Sequence, residues 1–336
     1  MPWLSSDIGT PCRPGQLSGT CSSATAACLA SSRPLRYGRV MVRGDSGNTG
    51  SSMESNMPFS LTESVHGWGD WSLHYRHWHN PAGDGVLVAL HGAGVAGALT
   101  FAPMLPRLAG YRDVLVPDLY GAGQTRHGAG ERPFEMDELA DHLLRWILGF
   151  DFQDIDLAGY SFGGLVAMMI AAPLGIRRLT LIEPALMESP SWAATLARRQ
   201  RYAAATDPLR GGGDAVAAVT AFLDIVSPNR SRHPRIESMV THRLSHRPVG
   251  LAHALDAVGR YAPSLNRSGL LASLPPTLSL VGAKTPDDAH ALHRAQAQCR
   301  PDWGYQVIAG VDHALPYQKP TAVADACIAW FKRGDA

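Results

Sequence analysis

The residues best suited to do chemistry lie in Asp156–Ile170, which reads DLAGYSFGGLVAMMI. Apolar residues alternate at Ile155 and Leu157, the turn Gly159-Tyr-Ser-Phe-Gly163 follows, and an unbroken apolar run leaves it. Strand, tight turn and helix form the setting in which G-x-S-x-G presents a nucleophilic serine. So tight a turn strains the backbone of Ser161 and exposes its Oγ. Gly159 and Gly163 are required because a Cβ at either place would collide with the neighbouring strand or helix. A helix starting after Ser161 points free N–H groups and its positive dipole end at any oxyanion formed there. The competing reading, a serine that merely caps a helix, is disfavoured by these flanks.

Composition bounds what such a serine could serve. The chain has 336 residues, 45% hydrophobic and 18% charged. That suits one large domain, or one domain with an insertion, around a sizeable core. A net charge of +1 gives no basis for binding nucleic acid or a membrane surface. Cys12, Cys21, Cys28, Cys299 and Cys327 form no C-x-x-C pair, and an odd number makes a poor disulfide framework. A reducing cytoplasm is the expected setting. No phosphate-binding loop, dinucleotide fingerprint or metal cluster is visible, so neither cofactor nor metal is expected. His66, His74, His77 and His79 read as half-buried strand residues. Alternation puts His74 and His77 on opposite faces, and no carboxylate or cysteine joins them at ligand spacing.

The elements that must position the serine can be traced along the chain. Residues 1–57 are rich in Ser, Gly, Thr and Pro, lack useful periodicity, and read as a disordered extension or as sequence ahead of a start at Met53 or Met57. Ser64–Trp68 and Trp71–Trp78 read as a hairpin. Gly85–Gly92 and Asp113–Leu119 read as buried strands, with a helix over Ala98–Leu108 between them. Phe134–Leu148 is an amphipathic helix with acidic residues early. The strand Arg178–Pro184 follows the serine helix. From 185 to 271 only helical segments appear: Trp192–Ala204, Asp214–Ile225, Arg235–Leu244 and Gly250–Tyr261. Alternation then resumes with Thr277–Gly282, a helix over Pro286–Cys299, Tyr305–Ala309 and a last helix, Ala322–Lys332. Strands alternating with helices imply a parallel sheet covered on both faces. The expected organisation is a core over 58–184, a helical insertion over 185–271, and the rest of the core over 272–336.

Over residues 60–333 the chain resembles the α/β-hydrolase superfamily. The motifs that carry the resemblance occur in the family's order, each after a strand: His91-Gly-Ala-Gly94, Asp118-Leu-Tyr-Gly-Ala-Gly-Gln-Thr125, Gly159-Tyr-Ser-Phe-Gly-Gly164 and Gly310-Val-Asp-His-Ala-Leu315. The resemblance implies a doubly wound, mostly parallel sheet with an inserted helical cap, and a serine–acid–histidine triad. Ser161 would be the nucleophile and His313 the general base. The backbone N–H groups of Ala93 and Phe162 would form the oxyanion hole, with His91 bracing its loop. The acid departs from the family's pattern. Gly282-Ala-Lys-Thr285 carries threonine where aspartate is usual. Glu183, at the end of the preceding strand, is the preferred acid, as in some branches of the superfamily. Asp287 and Asp288 are the alternatives, although Thr285-Pro-Asp-Asp288 also reads as the opening of a helix.

A serine nucleophile implies an acyl substrate, most simply a carboxylic ester. Carbon–carbon bond hydrolases, cofactor-free haloperoxidases and non-hydrolytic ligand receptors share the architecture. The arginines of Leu196–Tyr202 and of Pro228–His246 are expected on solvated faces of the inserted helices, with recognition of an acidic substrate group as the alternative.

Overall fold

The computed structural model describes residues 58–333; the expected extension over 1–57 lies outside them. The described residues open with an antiparallel hairpin, β1 (Ser60–Trp68) and β2 (Trp71–His79). The parallel strands are β3 (Val86–Leu90), β4 (Asp113–Pro117), β6 (Ile155–Tyr160), β7 (Arg178–Ile182), β8 (Thr277–Gly282) and β9 (Trp303–Ile308). A two-residue strand, β5 (Arg126–His127), pairs with β2. The strand order is β1-β2-β4-β3-β6-β7-β8-β9. It reverses direction at β3, and β6, which carries Ser161 at its end, is the next strand. Ligands bind beyond the carboxyl ends of strands at such a crevice.

Helices α1 (Gly97–Phe101) and α11 (Pro320–Phe331) belong to one side of the sheet, and α2 (Met136–Leu148) and α3 (Phe162–Leu174) to the other. Period-2 alternation along β3 feeds both cores. Val86, Val88 and Leu90 join the cluster that contains Leu139, Leu143 and Leu165. Leu87 and Ala89 join the one that contains Phe101, Val323 and Phe331. α1 is shorter than the expected Ala98–Leu108. Pro103 and Pro106 cannot donate to a helical ladder, and the chain passes into a 3-10 turn at Ala102–Met104.

Between β7 and β8 come α4 (Trp192–Thr206), α5 (Ala215–Val226), α6 (Pro234–Leu244), α7 (Pro248–Tyr261) and α8 (Arg267–Ala272). The last of these has no counterpart in the periodicity reading. Asp214 caps α5 through bonds from Val216 N–H and Ala217 N–H, and Ser191 caps α4 through Ala194 N–H. The insertion has its own small core of Tyr202, Val219, Phe222, Leu251 and Leu255. Two devices tie it to the sheet. A Cβ on Gly250 would lie 2.2 Å from the Gly121 carbonyl oxygen, so two backbones meet where only glycines fit. Arg247 Nη1–H donates to the Ala122 and Thr125 carbonyls, both at 2.7 Å. α9 (Asp287–Cys299) links β8 to β9, and the short α10 (Leu315–Gln318) lies between β9 and α11. No helix among the described residues is long and apolar enough to cross a membrane.

Candidate active site

Ser161 occupies the turn between β6 and α3 with φ 51° and ψ −114°, a conformation that costs an L-residue about 1–3 kcal/mol. The turn is held from several sides. Ser161 N–H donates to the Ile182 carbonyl at 3.0 Å, and its own carbonyl accepts from Ala185 N–H at 2.9 Å. A Cβ on Gly163 would lie 2.4 Å from the Leu90 and His91 carbonyl oxygens, and one on Gly159 would lie 2.6 Å from the Gly163 oxygen. Both glycines are therefore packing requirements, as the motif predicts.

His313 lies on the loop after β9. Its Nε2 faces Ser161 Oγ at 3.1 Å, and its Nδ1 faces Glu183 Oε2 at 2.7 Å. With the carboxylate as acceptor, Nδ1 carries the proton and Nε2 is free to accept the serine hydroxyl. Tyr160 Oη–H donates to the His313 carbonyl at 3.0 Å and fixes the loop. A Cβ on Gly282 would lie 2.6 Å from the Asp312 oxygen, so this glycine lets the end of β8 approach that same loop.

Glu183 follows β7 with φ 43° and is only 7% exposed. Its Oε1 accepts from Gly282 N–H at 2.7 Å and from the Thr285 hydroxyl. Burial opposes its charged form, but the bonds from His313, Thr285 and Gly282 outweigh burial and hold its pKa below the ordinary carboxylate value. Asp287 and Asp288 do not join this group. They begin α9, and Asp288 accepts from the Ser189 hydroxyl at 3.1 Å. Nor does Thr285 cap that helix. Pro286 stands at the N-cap without a side-chain bond, and the threonine hydroxyl is spent on Glu183. The residue that looked like a loss of the usual acid is a hydrogen-bond partner of Glu183. The bonds from Thr285 to Glu183 and from Tyr160 to His313 went unread in the sequence because only the fold brings these residues together.

The loop after β3 faces the serine from the other side. His91 is fully buried, donates through Nδ1–H to the Gly92 carbonyl at 2.7 Å, and accepts Leu119 N–H at Nε2, also at 2.7 Å. Burial lowers its pKa, so it is a neutral brace between two loops. Its carbonyl accepts Gly163 N–H at 3.0 Å, which locks this loop to the start of α3. The N–H groups of Ala93 and Phe162 meet no acceptor among the described residues. Asp118, also buried, ties the neighbouring loop by accepting Gly97 N–H, Gln124 N–H and His74 Nδ1–H, and its pKa falls to about 2.

Two expectations need correction. Carboxylates do join the strand histidines. Asp113 Oδ1 accepts from His77 at 2.7 Å and from His79 at 2.8 Å, while Arg112 holds its other oxygen. The acid lies on β4, opposite His79 across the sheet, and so was invisible at short sequence range. Arg199 is not on a solvated face. It is 5% exposed and pairs with Glu188, whereas Arg201 is exposed as expected.

Residues 85–313 match the family described as alpha/beta hydrolase fold, and the chain belongs to it. Among curated proteins it is 34% identical over 106 residues to the magnesium-chelatase 30 kDa subunit of Rhodobacter capsulatus, covering 32% of this chain and 37% of that one. It is 30% identical over 116 residues to the 2-hydroxymuconate semialdehyde hydrolase of Pseudomonas sp. strain CF600, covering 33% and 41%. The chain thus spans about two fifths of these relatives. The structure of MenH from S. aureus superposes with a TM-score of 0.66 at 22% identity, covering 78% of this chain and 99% of that one, which is a likeness of fold.

Proposed function

We propose that this member of the family is a serine hydrolase that opens an acyl bond, most simply a carboxylic ester, through an acyl-enzyme on Ser161. The observation that carries the reading is the continuous chain of hydrogen bonds from Ser161 through His313 to Glu183. In this reading Ser161 Oγ attacks the acyl carbon while His313 Nε2 takes its proton. Glu183 holds the imidazole in the required tautomer and stabilises it once it is charged. The unengaged N–H groups of Ala93 and Phe162, with the N-terminus of α3, receive the oxyanion. His313 then returns the proton to the leaving group, and water repeats the sequence to free the acid. The helices α4–α7 act as a cap that closes the site, and the protein works in a reducing cytoplasm without cofactor or metal.

A fluorophosphonate probe tests this, with short-chain ester turnover in parallel. Labelling is expected in wild type and absent in Ser161→Ala and His313→Ala. A folded wild type that neither labels nor turns over any ester removes the reading and favours a ligand receptor. A second reading, cleavage of a carbon–carbon bond next to a carbonyl, is favoured by the name of the Pseudomonas relative. Turnover of a vinylogous diketone with little ester turnover would select it.

A further inference from the structure

A second group of chemically able side chains stands apart from the serine. His77 and His79 lie two residues apart on β2 and so share one face of that strand. The register of β2 and β4 sets Asp113 directly across from His79. Asp113 begins β4, so the group stands at the sheet edge opposite the carboxyl ends where Ser161 lies. His77 Nε2 and His79 Nδ1 converge on a single oxygen, Asp113 Oδ1, and the three atoms all lie within 4.8 Å of one another. The Phe150 and Phe152 rings meet His77 edgewise, with ring centres 6.2 and 6.5 Å away, and hold its plane.

Two imidazole N–H donors on one carboxylate oxygen are one way to fill this arrangement. A metal ion is the other, and the surroundings suit it. Two imidazoles and a carboxylate are a donor set for first-row divalent metals. Each ring's other nitrogen, His77 Nδ1 or His79 Nε2, engages no partner among the described residues. The ring proton can therefore move there and leave a lone pair facing Asp113 without breaking another bond. The histidine side chains are 23% and 44% exposed, so water reaches the site, whereas Asp113 is 5% exposed and pinned through Oδ2 by Arg112 Nε–H. Arg112 opposes a cation, but its charge also faces Asp84. The N···O separations of 2.7 and 2.8 Å subtend about 80–90° at an ion about 2.05 Å from each atom. That is the angle between neighbouring ligands of a square-planar or octahedral ion, and it falls short of a tetrahedral one.

We propose that His77, His79 and Asp113 bind a divalent transition-metal ion of square-planar or octahedral preference, nickel foremost, with water in the remaining positions. Nickel keeps its charge in the reducing setting proposed above, where divalent copper does not. The ion ties the hairpin at the sheet edge, through β2, to β4. It stands apart from Ser161 and takes no part in the acyl chemistry, so the proposal holds whatever bond the serine opens.

Nickel chloride tests this on the full chain after stripping with EDTA. Equilibrium dialysis counts bound metal in wild type and in the double variant His77→Gln/His79→Gln, so that the other histidines and the cysteines cancel in the difference. Wild type is expected to hold one more Ni2+ per chain than the double variant. His79→Gln alone, at the more exposed position, is expected to weaken that binding by at least the roughly tenfold that even outer partners of a metal contribute. Saturating nickel is expected to raise the Tm of wild type by about 5 °C and to leave that of the double variant unchanged. Circular dichroism of the metal-free proteins checks folding, and His79→Gln keeps the test decisive where the double variant misfolds. Bound Co2+ is expected to absorb weakly, as an octahedral ion does. Equal nickel in wild type and variants, or no rise in the wild-type Tm, overturns the site. The intense visible bands of tetrahedral Co2+ overturn the geometry assigned to it.

Discussion

Replacing Glu183 with glutamine is the sharpest probe of the proposed mechanism, because the structure dictates how the amide must sit. Glu183 Oε1 accepts from Gly282 N–H and the Thr285 hydroxyl. An amide NH2 there would face the Gly282 donor, so the carbonyl oxygen takes that side and the NH2 turns to His313. Facing a donor, His313 Nδ1 must become the acceptor, and the ring proton moves to Nε2, 3.1 Å from Ser161 Oγ. In that tautomer the imidazole cannot take the serine proton. The expected loss in kcat is about 10⁴-fold, or about 5 kcal/mol at 1.36 kcal/mol per tenfold. Stopped ester assays and the rate of fluorophosphonate labelling both measure it, with urea unfolding to verify that the variant is folded. Activity within about tenfold of wild type would refute the argument. The acid role would then have to be sought elsewhere, even though Asp287 and Asp288 stand apart from His313.

Other outcomes follow from neighbouring contacts. Thr285→Val removes one of three bonds to Glu183, so kcat/KM should fall about tenfold. Because those bonds depress the Glu183 pKa, the loss should raise it. A depressed carboxylate contributes stability that is lost as pH falls through its folded pKa, so the variant should begin losing stability at higher pH than wild type, as acid titration of urea midpoints will read. Asp118 has the same sign. Its pKa drops from 3.8 to about 2, so its contribution, about 2 kcal/mol, is complete above about pH 4 and vanishes as pH falls through 2. Asp118→Asn should flatten that part of the stability curve measured by urea unfolding. Ser161→Gly should abolish labelling yet raise the Tm by about 2 °C in calorimetry, since glycine accepts φ 51° without the strain. Gly163→Ala should lower the Tm and the labelling rate together, because its methyl group meets two carbonyls at 2.4 Å.

The sequence determined the serine turn, the histidine after the last strand, the alternation of strands and helices, and the helical stretch that interrupts them. These are local: a tight turn needs glycines next to the serine, and a strand buried on both faces needs an apolar run. Element ends shifted where prolines intervened, as in α1. What only the tertiary structure decided was partnership. Glu183 lies 130 residues before His313, and Thr285 lies 102 residues beyond Glu183. Their meeting depends on β7, β8 and β9 pairing in register and ending at the same sheet edge. Asp113 reached the strand histidines by the same route. Arg199 shows the reverse. In a helix rich in arginine and alanine nothing marks it for burial, and only the packing of α4 against α5 and α7 puts its guanidinium beside Glu188. Charge and periodicity describe a segment, whereas burial and pairing belong to the surfaces that segment meets.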